Sequence, residues 1–586
     1  MISPPRLSAP ARSAGALIVL ALTPLWLMGM FGRGLWTPDE PREADIAWRM
    51  SLQSDRTLPQ LAGVPFLEKP PLSYWASAAA LSLWGDSAAS ARAPNLLYAV
   101  SGALALVTLA LALQADVAAA VIAALVAMSS LTAYRVIVWL APDACLLAGC
   151  ALALLGVWRG YRAAPGAPKA AGYALMHLGA AIGFMAKSAP GWLVPTLALL
   201  TLIAWERRWS ELRRWELYAG FALQLLIIGP WLLAVGHTMG GGAALRTLFW
   251  HNVVGRFTRV AAPAVLDYTS GHRNSPGKYL IELPLYLLPW TLVVAAALVR
   301  AWQRARAPGI SGTPWRFALS SCLPFLLLLS LAATARDIYV APALLGFGLL
   351  AGLWAHEAQQ APSRLDRLAV RGSRWLLGAI AWAIALALAL LAIAGAGGHT
   401  ACLLAAVGVI AGVHLALALA ARAQRADALK QSLLWLYGGY ATALCVTALA
   451  ALPIIDRWQD LPALARRIHA DTAARPLGLL NPDETTIAML DHGLRTPFTI
   501  VTGSTGNTPA AVADWFGAHG ADARLLVLLP GHTPGTLNRL LARVHQSAAP
   551  GDGVAGELVA ARTARLIERY ELPQGRRYAL LAAPPP

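Results

Sequence analysis

Residues 16–50 read ALIVLALTPLWLMGMFGRGLWTPDEPREADIAWRM. The stretch up to Phe31 carries no charge and is long enough to enter a hydrocarbon core of roughly 30 Å. Within a few residues of its end stand Asp39, Glu40, Arg42, Glu43 and Asp45. Arg6 and Arg12 precede the run, as in a secretory signal, but no small-residue cleavage site follows before Trp36. The segment is therefore predicted to remain as a first transmembrane helix that delivers a charged stretch to the membrane boundary.

Apolar runs of this kind recur over the first 450 or so positions, and about thirteen are long enough to span a bilayer. The chain has 586 residues, of which 57% are hydrophobic and 13% charged, about half the charge of a soluble domain. This is the composition of a polytopic α-helical membrane protein. Cys145, Cys150, Cys322, Cys402 and Cys445 all lie inside apolar runs, so they read as small buried hydrophobes rather than as disulfides or zinc ligands. The net charge of +17 is spread over separate short loops and does not form one basic face. No nucleic-acid partner is expected; the pattern is the orientation signal of a membrane protein.

Five connections carry that bias: Arg159 to Lys169, Arg207 to Arg214, Arg300 to Arg316, Arg364 to Arg374, and Arg422 to Lys430. Two spans separate each from the next, so all share one side with the N-terminus, and that side is expected to be cytoplasmic. The opposite face receives loops at about 36–90 and 237–277 and everything beyond Pro453. The expected division is a membrane domain over 1–453 and a small soluble α/β domain over 454–586. In the latter, RLLVLLP near 524 and ARLIERYELP near 564 read as strands, while PDETTIAMLDHGL and PGTLNRLLARVHQ have helical spacing. PAAVADWFGAHG favours neither clearly.

Chemistry concentrates on the outer face. Pro41 suits a helix's first turn, with Asp39 and Glu40 at its positive end, and Ile46, Ala47, Met50 and Trp48 suggest a helix lying on the bilayer surface. Asp39 is then either a reactive carboxylate at the boundary or a helix cap. Glu68-Lys69 precedes Pro70-Pro71 and a helix bearing Tyr74, Trp75 and Trp84; the bland alternative is a snorkelling lysine with its neighbour. Asp143 follows Pro142 at the mouth of a span, as a functional acid or as another cap. The second long loop holds His251, Arg256, Arg259, His272, Arg273 and Lys278, whose arginine forks suit phosphate oxygens. His251 could ligate a metal with Glu68, or simply be a hydrogen-bonded histidine. The last outer turn adds Arg336, Asp337 and Tyr339. Acids and cations beside aromatic-rich helices fit a substrate with a lipid tail and a phosphate head, and no nucleotide-binding P-loop is present.

DEPREADIAWRM followed some thirty residues later by FLEKPPLSYW resembles the first outer loop of bacterial membrane glycosyltransferases of the aminoarabinose (lipid A) transferase and protein O-mannosyltransferase type. MAKSAPGWLVP and RDIYVAP resemble that family's later lysine turn and basic-x-x-Tyr-x-x-Pro segment. The resemblance implies a GT-C fold in the bacterial inner membrane, with a periplasmic C-terminal domain. It also implies inverting transfer of a sugar, such as 4-amino-4-deoxy-L-arabinose, from undecaprenyl phosphate to a periplasmic-face acceptor such as lipid A. By the same resemblance Asp39 and Asp143 are catalytic, and Lys69, Arg256, Arg336 and Tyr339 meet the donor phosphate and lipid. Glu68 and His251 match positions where a divalent metal such as zinc can bind, and a monomer is expected. Ser188-Ala189-Pro190 and Arg336 depart from the common pattern and leave sugar and acceptor open. A protein O-mannosyltransferase-like enzyme and a transporter of lipid-linked sugars are the competing readings; Glu43 and Asp45 are expected to be solvated.

Overall fold

Runs of alanine and leucine without charge become long helices because in lipid every backbone amide must be satisfied within its own segment. The structure, a computed structural model, describes residues 9–257, 274–307, 309–395, 398–472, 475–502, 508–529, 553–560 and 563–584. It divides into two units: Met1–Gly32 with Gln53–Pro59 and Pro65–Ala451, and Arg33–Leu52 with Gln60–Val64 and Leu452–Pro586.

In the first unit, nine helices among the described residues are long and apolar enough to cross a membrane, or up to eleven if each of two bent pairs is one span. The expected thirteen or so is not reached. Ala167–Lys187 is long enough at 21 residues, but Lys169, His177 and its glycines dilute it. The stretch from Thr313 to Ser330 is split into Thr313–Ser320 and Leu323–Ser330. Buried shares of 89% for Asp337–Gln360 and 83% for Asp143–Arg162 place these helices in the interior. Arg364–Ile393 and His399–Arg425, at 28% each, lie at the periphery of the unit, with most of their apolar length uncovered by protein.

Small residues set the closest packing in this unit. A Cβ at Gly156 would lie 2.1 Å from the backbone nitrogen of Met176, and one at Gly149 would lie 2.6 Å from that of Gly183. Asp143–Arg162 and Ala167–Lys187 therefore touch backbone to backbone, as membrane helices do where side chains are small. The start of the first helix, Asp143, comes beside the end of the second, Lys187.

The second unit is a five-stranded sheet with helices on both faces. Its order is Thr499–Val501, Leu477–Leu480, Arg524–Leu529, Arg577–Ala582, Arg565–Glu571, parallel among the first three and antiparallel thereafter. Alternation along the strands explains the two layers. Leu525, Val527 and Leu529 pack with Val512, Trp515, Phe516 and Leu558 on one side. Leu526, Leu477 and Leu479 pack with Leu464, Ile468 and Leu490 on the other. Both strands read from the sequence are present, and PDETTIAMLDHGL forms the helix Glu484–Leu494, with Asp483 capping it through a 2.9 Å bond from Thr486 N. PAAVADWFGAHG lies in the helix Thr508–His519, whereas PGTLNRLLARVHQ falls outside the described residues.

Two expectations for the opening segment are corrected. The helix Glu40–Leu52 does form, but Ile46, Ala47, Trp48 and Met50 are buried within this unit instead of facing a bilayer. It packs on the helix Glu484–Leu494, with Arg42 paired to Glu484, Arg49 to Asp491, and Trp48 at 5.3 Å from the His492 ring. Glu43 and Asp45, expected to be solvated, are 2% and 0% exposed. An apolar helix face looks the same in sequence whether lipid or protein covers it.

Candidate active site

Where the ends of several spans meet in the first unit, a cavity of about 80 Å³ is lined by Glu68, Lys69, Lys187, Asn252 and Tyr339, with apolar walls from Phe257, Phe325, Leu328 and Leu329. Each polar member reaches it for a local reason. Pro70 and Pro71 precede the helix Leu72–Trp84 and place Glu68 and Lys69 just before it. Asn252 fixes their backbone by donating Nδ2–H to the carbonyls of Leu67 at 3.0 Å and Glu68 at 3.2 Å. Lys69 Nζ lies 3.6 Å from Glu68 Oε2, with both side chains only 10% exposed.

Lys187 closes its helix, and Ser188 turns the chain with φ +61° into the next one, Ala189–Glu206. The Lys187 ammonium donates to Asp143 Oδ1 at 2.6 Å and sits 4.1 Å from the centre of the Tyr339 ring. Asp143 is the first residue of its helix, with Pro142 in the cap position and no side-chain cap bond, so it stands beside the cap without capping. Its side chain belongs instead to a buried ion pair, 3% exposed against 9% for Lys187. Lys187 is the functional candidate that the sequence left without a role. The available signal was a carboxylate at one span's mouth needing a cation, with a lysine at the same end of the next span.

Buried polar atoms normally have hydrogen-bond partners. Ser188 Oγ and Asn252 Oδ1 on the cavity residues, and Nδ1 of buried His251 next in the chain, have none among the described residues. A polar ligand would satisfy them.

The remaining predicted residues are distributed differently. Arg336 is exposed, is not one of the lining residues, and its carbonyl accepts from the Tyr279 hydroxyl at 2.7 Å. Arg256 ends a short 3₁₀ turn, Val254–Arg256, and its side chain lies outside what is described; so do Arg259, His272 and Arg273. Lys278 begins the helix Lys278–Tyr286, with its ammonium 3.3 Å from Asn274 Oδ1. Glu68 and His251 bring a carboxylate and an unpartnered ring nitrogen, which are metal-ligand chemistry. No group of three or more His, Cys, Asp or Glu among the described residues could hold a metal. These two could supply only part of a coordination shell.

Asp39 belongs to the second unit, immediately before the helix Glu40–Leu52, and its carboxylate is 3.3 Å from Arg42 Nη2 and 16% exposed. A buried scaffold holds it. Arg33 donates to both Glu40 oxygens at 2.6 and 2.9 Å, Asp456 accepts from Gly34 N at 3.0 Å and Trp36 Nε1 at 2.6 Å, and Gln459 accepts from Thr37 N at 2.9 Å. Arg42 is also bonded to Glu43 at 2.6 Å, so the guanidinium that meets Asp39 is itself held in place. Asp45 lies deeper: burial, then the neighbouring Asp491 carboxylate, push its pKa up to about 9.

Fold and cavity together define the class: a multi-pass α-helical membrane protein of the GT-C fold. Residues 68–233 match the family described as dolichyl-phosphate-mannose-protein mannosyltransferase. Over 98% of its length the chain superposes on 98% of a crystal structure of ArnT from Cupriavidus metallidurans bound to undecaprenyl phosphate, with TM-score 0.70 and 18% identity. The apo form of that protein gives 0.64 over the same share of each chain, also at 18% identity. Among curated proteins, the undecaprenyl phosphate-alpha-4-amino-4-deoxy-L-arabinose arabinosyl transferase of Pseudomonas paraeruginosa is 30% identical over 362 residues, 62% of each chain. That of Pseudomonas aeruginosa is 29% identical over 363 residues, again 62% of each. The match thus spans about three fifths of these relatives' length. The chain shares its fold with ArnT and is similar in sequence to these arabinosyl transferases over that share of their length.

Proposed function

We propose that the chain is an inverting membrane glycosyltransferase that moves 4-amino-4-deoxy-L-arabinose from undecaprenyl phosphate to lipid A at the periplasmic face of the bacterial inner membrane. The observation that carries this reading is the pairing of Lys69 and Lys187 with an apolar wall in one cavity, which suits the junction of a phosphate and an isoprenoid tail. The 30% identity to an arabinosyl transferase supports the choice of sugar.

In the reaction the bond between the sugar's anomeric carbon and the donor phosphate oxygen breaks, and a bond from that carbon to the acceptor oxygen forms on the opposite face. Negative charge grows on the departing lipid phosphate. Lys69 stabilises it where little water screens the interaction, with Arg256 as the second donor-side cation. Asp143 aims the Lys187 ammonium through their ion pair, and the Tyr339 ring flanks it from another side. Asp39 keeps the role its motif implies. For a hydroxyl acceptor it takes the proton; a phosphate acceptor is already anionic, and Asp39 then orients it or stabilises positive charge on the sugar ring. Glu68 and His251 would hold a divalent ion together with non-protein oxygens, and that ion would add positive charge beside the leaving phosphate. Arg336 and Tyr339 are assigned to the donor's surroundings.

The family match over residues 68–233 favours one alternative, a protein hydroxyl as acceptor. Mass spectrometry of lipid A and of periplasmic glycoproteins, from cells with and without the chain, separates the two. Gain of an aminoarabinose mass on lipid A alone supports the proposal, and sugar only on protein contradicts it.

A further inference from the structure

The basic residues near 364–374 do more than mark orientation. Arg364, Arg367, Arg371 and Arg374 follow one another at spacings of three and four on the helix Arg364–Ile393, which puts them on one face. Arg425, from the last turn of His399–Arg425, joins them around a cleft of about 490 Å³ completed by Leu368, Ala421 and Gln424. An orientation signal needs only positive charge on one side of the membrane. It does not need five guanidinium groups around one space.

The cleft is built and uncompensated. Arg374 donates to Gln424 Oε1 at 3.0 Å, Gln424 donates to the Arg367 carbonyl at 3.0 Å, and Arg367 donates to the Pro362 carbonyl at 3.1 Å. These bonds hold the cluster's frame, while Arg374 Nε is buried with no partner among the described residues. Other arginines of that membrane face are neutralised: Arg304 by Glu357 at 2.8 Å, Arg316 by Glu206 at 3.0 Å, and Arg300 by Asp366. Asp366, on the cluster's own helix, is thereby spoken for. None of the five cleft arginines has a carboxylate partner among the described residues, and Asp427 beside Arg367 and Gln424 makes no ion pair there either. Like charges held together this way repel unless an anion sits among them.

The surroundings say which kind of anion. Leu368 is 62% and Trp375 73% exposed on a helix that faces lipid, so the cleft opens where tryptophan marks the headgroup level. We propose that this cleft binds the headgroup of an anionic phospholipid, and best one carrying two phosphates, in the leaflet on the side of the basic loops. Arginine forks suit two phosphate oxygens at once, and basic pockets between membrane helices are the usual seat of such lipids.

The test uses the full chain and does not depend on sugar transfer. Cardiolipin retained by the detergent-purified protein is counted by native mass spectrometry, and its affinity is read from titration into phosphatidylcholine nanodiscs. The triple substitution Arg371→Lys, Arg374→Lys, Arg425→Lys keeps every charge, and with it the orientation signal, but removes the forks. Binding is expected to weaken about tenfold or more in this variant and to vanish when the same positions become Gln. A control in another basic loop, Arg207→Lys, Arg213→Lys, Arg214→Lys, is expected to bind as the parent does. Unchanged binding in the Gln variant overturns the proposal. So does parent-like binding in the Lys variant with loss only in the Gln variant, because plain charge attraction would then suffice, and so does equal loss in the control.

Discussion

Asp143 and Lys187 show what one pair of residues decides. Each is almost fully buried, so the ion pair offsets a desolvation cost that either partner alone would leave exposed as an unpaired charge. Asp143→Ala should therefore destabilise the detergent-solubilised protein by about 3–5 kcal/mol, whereas Asp143→Asn combined with Lys187→Met should recover most of that. Activity should be absent from both, which separates folding from chemistry; a double variant no more stable than the single would contradict the pairing. Asp45 gives a pH prediction. It ionises near the ordinary carboxylate value when unfolded but only at about 9 when folded, so between those values the fold holds the extra proton. Its stabilising contribution is whole below the ordinary value and declines as pH rises through about 9. Unfolding midpoints should fall toward alkaline pH in the parent, and the slope should flatten in Asp45→Asn; an identical slope would refute it. Glu68, Lys69 and Tyr339 were singled out from short local motifs, and the structure sets all three on the cavity wall. The partnership of Asp143 with Lys187 was not legible in this way, because helix packing forms it.

That packing belongs to the scale of elements. The backbone contact of Asp143–Arg162 with Ala167–Lys187 leaves no room for a side chain at Gly156, so Gly156→Val must push the helices apart. The expected result is a lowered unfolding temperature and a lost lysine–aspartate pair, seen as an activity defect far larger than that of a lipid-facing substitution such as Leu226→Ala. At the turn into Ala189–Glu206, Ser188 occupies the left-handed region that branched residues avoid. Ser188→Gly should be neutral to stabilising, and Ser188→Val should cost more than about 1 kcal/mol; equal thermal stability of the two would contradict the geometry. The long spans, the helix starts at Glu40 and Leu72, and the strands near 524 and 565 were readable from apolar length, proline position and alternation. Leu477–Leu480 and Thr499–Val501 were not, since four- and three-residue strands carry too little periodicity. The surface helix proposed for residues 40–52 failed for a different reason, because amphipathicity does not name the covering partner.

For the whole molecule, composition alone settled the membrane class, and the family resemblance supplied the GT-C fold that the superposition at TM-score 0.70 supports. Domain membership was less legible. Arg33–Leu52 and Gln60–Val64 group with the tail, although in sequence they sit between membrane segments. The orientation we propose puts the tail in the periplasm, so a cysteine at Asp522 should be labelled by a membrane-impermeant thiol reagent in cells with a permeabilised outer membrane, and one at Arg207 should not. The proposed activity is tested most directly with purified chain, undecaprenyl phosphate carrying aminoarabinose, and lipid A, following transfer by mass spectrometry. Sugar on lipid A is expected with the parent chain, and a loss of about a hundredfold in a folded Lys69→Ala variant. No transfer by the parent, or full-rate transfer by Lys69→Ala, would contradict it.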